Sequence, residues 1–155
     1  DTSLKRNQKP LKVGFSIITF KEYQNHESLI NAVCAAYGLK EKLNPEWLNS
    51  KLSAPSMSNR WQLSVVNSDG DCVGFCFVFI DPVNNIAEID TIGIHPDYQK
   101  NGFARHLMIE CFDRLESEGI NSCYINSKPD IYALNHLCES LMSDSIKKYH
   151  LWRKG

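Results

Sequence analysis

Apolar positions along this chain switch between two periods, and the switches mark its elements. Residues 14–20 form a β-type run. After Asn25, Leu29, Ile30, Val33, Ala36 and Tyr37 fall at helical spacing, and Gly38 supplies the stop. Asn44 followed by Pro45 has the chemistry of an N-cap and first helical position, opening a short helix with Trp47, Leu48 and Leu52 on one side. Residues 54–59 then read as loop. Residues 61–67 and 72–80 are β-rich runs separated by Ser68-Asp69-Gly70-Asp71, where Asp-Gly supplies the positive φ of a tight hairpin. A second turn, Pro82-Val83-Asn84-Asn85, leads to a strand over 86–94 and completes an antiparallel meander. In its middle strand Phe75, Phe77 and Phe79 point to one face and Cys76, Val78 and Ile80 to the other, so this strand is expected to be central.

The clearest helix follows over 103–118, with Ala104, Leu107, Met108, Cys111, Phe112 and Leu115 on one face and Gly119 as its stop. Residues 122–126 read as a strand, and the order strand, helix, strand favours a parallel, right-handed crossover. Pro129-Asp130 opens another helix with Ile131, Leu134, Leu137, Cys138 and Leu141 inward, and residues 147–153 form an expected last strand. The pattern predicts an α/β (α+β) fold: one mixed, mostly antiparallel sheet flanked by helices. Residues 1–10, polar and basic, read as a disordered lead-in, which leaves 11–155 as the domain.

Composition narrows the function classes. A length of 155 residues with 43% apolar content suits one domain with one core. Lys and Arg total 17 against 18 for Asp and Glu, so the net charge of −1 offers no bulk attraction to nucleic acid or an anionic membrane. The 6 cysteines lack the paired spacings of a zinc site and the density of a disulfide scaffold, which makes them expected reduced core thiols. Cys72 and Cys76 share a strand face but stand too far apart to chelate one ion, and the 5 histidines show no metal-ligand spacing. No metal is expected. No apolar stretch approaches the ~20 residues that span a bilayer, so the expectation is a soluble, cytoplasmic protein. The start at Asp1, without Met or a secretory apolar region, suggests a trimmed, processed or excised end.

The segment between the meander and the long helix, Ile94-His95-Pro96-Asp97-Tyr98-Gln99-Lys100-Asn101-Gly102-Phe103-Ala104, carries the chemistry. The first turn of a helix has unpaired N–H groups and a partial positive charge that together cradle a phosphate or pyrophosphate. Gly102 lets such a ligand approach the backbone, and Lys100 and Arg105 add positive charge. Neither a Gly-Lys-Ser/Thr sequence nor a three-glycine dinucleotide fingerprint occurs.

Here the chain resembles the GNAT family of acyl-CoA-dependent N-acyltransferases, whose signature is Gln or Arg, two residues, Gly, one residue, then Gly or Ala. Gln99, Gly102 and Ala104 fill it, and the preceding apolar strand with His95-Pro96, the amphipathic helix and the element order across residues 14–153 agree. The resemblance implies acetyl-CoA, or a close acyl-CoA, as co-substrate and direct transfer to an amine, on a small molecule or on a protein or peptide, by a monomer or homodimer. It places the pyrophosphate on Gln99, Lys100, Asn101, Gly102, Phe103, Ala104 and Arg105. It also implies a splayed sheet in which the pantetheine arm lies against the backbone of Ile92, Gly93 and Ile94, where an N–H would stabilise the oxyanion of acyl transfer.

An amine arrives protonated at neutral pH, so a group or water chain must take its proton. Glu88 and Asp90, at alternate positions of one strand, share a face just upstream of Ile92. Glu88 is the first choice, because it stands as far before Gly102 as the catalytic Glu of the family's histone-acetylating branch stands before its own glycine. The bland reading makes each a solvated carboxylate or a partner for a nearby Lys. Many family members also use a Tyr in the helix after the fifth strand to protonate the departing thiolate. This chain departs from that pattern: the position falls on Asn135 or Cys138, and Tyr132 lies a turn away. A covalent route through Cys138 would need His95, His106 or His150 as partner. For the acceptor, Tyr37, Trp47 and Trp61 are aromatic candidates whose ordinary role is core packing. The rivals to an enzyme are a non-catalytic acyl-CoA-binding sensor, favoured by the missing Tyr, and a scaffold domain without ligand.

Overall fold

The computed structural model describes residues 9–54, 57–120, 122–125 and 132–141. Its elements are β1 (Ser16–Thr19), α1 (His26–Tyr37), α2 (Pro45–Leu52), β2 (Met57–Val66), β3 (Cys72–Asp81), β4 (Ile86–Ile94), a 3-10 turn (Pro96–Tyr98), α3 (Phe103–Ser117), β5 (Ser122–Ile125) and α4 (Tyr132–Leu141). The expected lead-in up to residue 8, the Pro129-Asp130 helix start and the last strand over 147–153 lie outside the described residues.

Local chemistry sets most element ends. Asn25 Oδ1 accepts from Ser28 N at 3.1 Å and Asn44 Oδ1 from Trp47 N at 3.0 Å, each pairing an N–H that the first helical turn leaves open. Gly38, at φ 61, closes α1 in the left-handed region. In the β2–β3 hairpin Asn67 Oδ1 accepts from Asp69 N and Asp71 N, while Gly70 takes φ 83.

The five strands stand in sequence order in one sheet, antiparallel from β1 to β4, with β5 parallel to β4. β3 is central, as its two apolar faces predicted. Phe75 and Phe77, both fully buried, face the first two helices: the Phe75 ring lies 6.3 Å from Tyr37 and the Phe77 ring 6.1 Å from Trp47. Cys76, between them, faces the other way and meets Cys111 of α3. Helices therefore cover both faces, and each fully buried Phe contributes roughly 1.5–3 kcal/mol of transfer free energy. On the α3 side a second cluster joins Met108 and Ile109 to Leu141 of α4, with Ile92 and Ile125 packed against it.

One boundary differs from the sequence reading. The expected loop over 54–59 ends early, because β2 begins at Met57, paired with Phe79. The ladder is irregular between Met57 and Gln62. This stretch joins the sheet through its partner strand, and its own apolar pattern carries no signal of it.

Candidate active site

β4 and the turn that follows it organise the site. β5 pairs only with Ile86 to Ile89, so among the described residues no strand lies along the far edge of β4 from Asp90 to Ile94. Against β3 the register shifts between Phe77–Thr91 and Val78–Ile89, which leaves Asp90 as the extra residue of a β-bulge. Beyond the bulge His95 N donates to Val73 O at 2.9 Å, so the alternation of an antiparallel ladder turns the N–H and C=O groups of Ile92 and Ile94 away from β3. Two side chains bear this out: Tyr37 Oη donates to Ile92 O at 3.4 Å and Gln99 Nε2 to Ile94 O at 3.3 Å. The edge thus offers the N–H groups of Ile92 and Ile94 to an extended ligand. Gly93 points toward α1, where an added Cβ would meet Phe75 and Ala36.

The edge leads into the loop. His95 Nδ1 accepts from Asp97 N, the 3-10 turn follows, and Lys100 (φ 61) and Gly102 (φ 79) both take left-handed conformations that swing the chain into α3. Asn101 braces the turn by donating from Nδ2 to Tyr98 O and Gln99 O, and Lys12 Nζ donates to Asn101 Oδ1 at 3.2 Å. Phe103 is buried and packs on Phe15 with ring centroids 4.7 Å apart, anchoring the helix start. Among the described residues no side chain caps α3, which leaves its first-turn N–H groups at Phe103, Ala104 and Arg105 uncapped by any of them, as a pyrophosphate cradle requires. Lys100 is exposed, and Arg105 reaches Ser140 Oγ at 3.4 Å.

The two candidate carboxylates share the α1–α2 face but differ in company. Asp90 Oδ2 forms an ion pair with Lys51 Nζ and accepts from Thr91 Oγ1. Glu88 stands opposite Phe79, whose ring lies 5.5 Å from the same Lys51 Nζ. Glu88 is exposed, and among the described residues no cation pairs with it. Lys51 was not singled out from the sequence. Its place one turn beyond Trp47, on the same helix face, was the available signal.

The residues weighed for a proton donor or nucleophile after β5 fare poorly. Tyr132 is 80% exposed. Cys138 packs among Met108, Ile109 and Leu141, and burial pushes its thiol up, against nucleophilic use. All six cysteines are unbridged, and burial pushes Cys72 and Cys123 up to about 12. Among the described residues no group of His, Cys, Asp or Glu is placed to hold a metal. None of their helices is long and apolar enough to cross a membrane. Trp61 lies in β2, and its side chain falls outside the description.

Comparison with known proteins decides the family. The model of the acetyltransferase (GNAT) family matches residues 28–141, from α1 through α4. The chain belongs to the GNAT acetyltransferase family. Solved structures share this GNAT fold at low identity. The ribosomal-protein-S18-alanine N-acetyltransferase from Escherichia coli superposes with a TM-score of 0.68 at 19% identity, over 83% of this chain and 76% of its own. An aminoglycoside acetyltransferase, meta-AAC0020, from an uncultured soil metagenomic sample gives 0.71 at 14%, over 94% and 99%. A chain of the NatC complex bound to Gag peptide and CoA gives 0.67 at 14%, over 83% and 84%. None of the curated proteins matches this GNAT chain by sequence.

Proposed function

We propose that the domain spanning 11–155 transfers an acetyl group from acetyl-CoA directly to an amine, with Glu88 accepting the amine's proton. The observation that carries this reading is the continuity of the open β4 edge with the uncapped start of α3. The first-turn N–H groups at Gly102, Phe103, Ala104 and Arg105, with Lys100 nearby and Gln99 and Asn101 holding the turn, suit the pyrophosphate. The edge at Ile92, Gly93 and Ile94 suits the amide-bearing pantetheine arm, which pairs there as an added strand would. An N–H of this edge then faces the thioester carbonyl and stabilises the charge that grows on its oxygen.

The carboxylates divide the remaining work. Asp90 is committed to Lys51, so it holds that helix and the bulge in place. Glu88, on the same face and with no cation paired to it among the described residues, is available to take a proton through water. With the charge of Asp90 offset by Lys51, the carboxylate of Glu88 at this end of the edge favours an amine that arrives as a cation, on a small molecule or on a protein. The unbridged thiols fit a reducing, cytoplasmic setting.

Acetyl-CoA at 100 times its Kd should stabilise the fold by about 2.7 kcal/mol, seen as a raised Tm, and no shift would reject the coenzyme site. A panel of amines including lysine peptides and polyamines should contain one that releases thiol. Binding without release from any amine would leave a sensor in place of an enzyme. Glu88→Gln should lower turnover by about 10²–10⁴-fold with coenzyme binding intact, and unchanged turnover would remove Glu88 from its role.

A further inference from the structure

The geometry points to Tyr37 as the acid that the helix after β5 does not supply: its hydroxyl, at the open edge of β4, protonates the coenzyme's sulfur as the thioester breaks. This rests on the acyl-transfer reading above. Of the two side chains that reach carbonyls of the open edge among the described residues, Gln99 at Ile94 is an amide with no acidic proton to give, and Tyr37 at Ile92 is a phenol. Their order also fits. A pantetheine arm running from the α3 start meets Ile94 first, then Ile92 about 6.6 Å further on, so Tyr37 stands at the thioester end and Gln99 at the pyrophosphate end.

The phenol is held there by packing. Tyr37 is the last residue of α1, and the helix approaches β4 closely enough that a Cβ on Gly93 would lie 3.0 Å from Ala36 Cβ. The Tyr37 ring rests on Phe75 and remains 49% exposed, open to solvent for proton exchange. Partial burial, above all, holds its hydroxyl above the ordinary tyrosine range; Thr91's hydrogen bond pulls it down, while the negative charge of Asp90 and the nearby Cys76 push it up. At neutral pH the group therefore carries its proton and acts as donor, not base. Among the described residues Asp90 and, through Asp90, Lys51 are the titratable groups on its side of the sheet, and Cys76 acts on it from the opposite face of β3.

The step balances. Glu88 first takes the arriving ammonium's proton through water and passes it to solvent; the freed lone pair forms the N–C bond, the C–S bond breaks with its electron pair on sulfur, and the Tyr37 proton moves to that sulfur. The surplus proton on the newly bonded nitrogen then passes to Glu88. Water returns a proton to the phenolate and takes one from Glu88, so the enzyme ends as it began.

Tyr37→Phe keeps the ring and removes only the hydroxyl. It should lower kcat by about 10²-fold, with Tm and the KM for acetyl-CoA unchanged. A second measurement needs no acceptor: coenzyme A labelled with ¹³C beside its sulfur is bound, and its thiol is titrated by chemical shift. A phenol donating to sulfur stabilises the thiolate, so the bound thiol should ionise at lower pH in the wild type than in Tyr37→Phe. Equal midpoints with coenzyme bound to both proteins, or equal kcat, would overturn the assignment. Failure of labelled coenzyme to bind either protein would instead sink the coenzyme reading, and this one with it. A Tyr37-dependent midpoint without thiol release to any amine would leave the contact standing and end the catalytic role.

Discussion

A methyl group added at Gly93 would lie 2.6 Å from Phe75 Cζ and 3.0 Å from Ala36 Cβ, whereas one added at Gly74 would meet chiefly Ile94 Cδ1 at 2.6 Å. The first collision is with a fully buried ring and a helix, the second with the movable tip of a side chain. Gly93→Ala should therefore cost about 1–3 kcal/mol and lift α1 off β4, with Gly74→Ala costing less; urea unfolding of the two variants gives the comparison. Gly102 is constrained differently, by φ 79 and not by space, since only His106 comes within 4 Å of an added Cβ. Gly102→Ala should cost about 1 kcal/mol and weaken coenzyme binding, because a residue that avoids the left-handed region re-aims the N–H groups after it; calorimetry with coenzyme A reads the loss. From the sequence Gly102 was legible as the glycine that opens α3, since its signature position and the following helix are local. Gly93 was not, because what crowds it comes from α1 and β3, far away along the chain.

At the scale of elements, the caps give the most direct test. Asn25→Ala and Asn44→Ala each remove a side-chain acceptor from a first-turn N–H and should each cost about 1 kcal/mol of stability, measured by thermal unfolding. Both helix starts were read correctly from Asn25 and from Asn44-Pro45, and the bounds of β4 were read correctly from the turn at 82–85 and the change of period at Ile94. Cap and turn chemistry acts within four residues, so it is written in consecutive letters. The start of β2 escaped because Met57 becomes strand by pairing with Phe79, a contact across the sheet. The Lys51–Asp90 pair escaped for the same reason, and with it the difference in company between Asp90 and Glu88.

Across the whole molecule, burial leaves a signature at alkaline pH. Cys72 sits in the core and Cys123, partly buried, packs against it; both thiols are pushed up to about 12, against an ordinary value of 9.0 in the unfolded chain. Above pH 9 the unfolded state gives up these protons and the folded state keeps them, so stability is full below pH 9 and falls as pH rises toward 12. The urea midpoint should fall between about pH 8.5 and 10.5, and Cys72→Val should flatten that fall; a midpoint flat through this range would mean the thiols are not buried as described.

The order of strands and helices, the centrality of β3 and the glycine turn from Gln99 to Ala104 that opens α3 were determined by the sequence alone, because each rests on periodicity, caps or turn residues that act over a few positions. Which edge of β4 stays open, which carboxylate is spent on a lysine and which phenol reaches that edge were decided only by the tertiary structure. Those outcomes depend on where β5 stops pairing, where a bulge falls and how closely α1 packs on Gly93, and each is a contact between segments that the linear chain holds far apart.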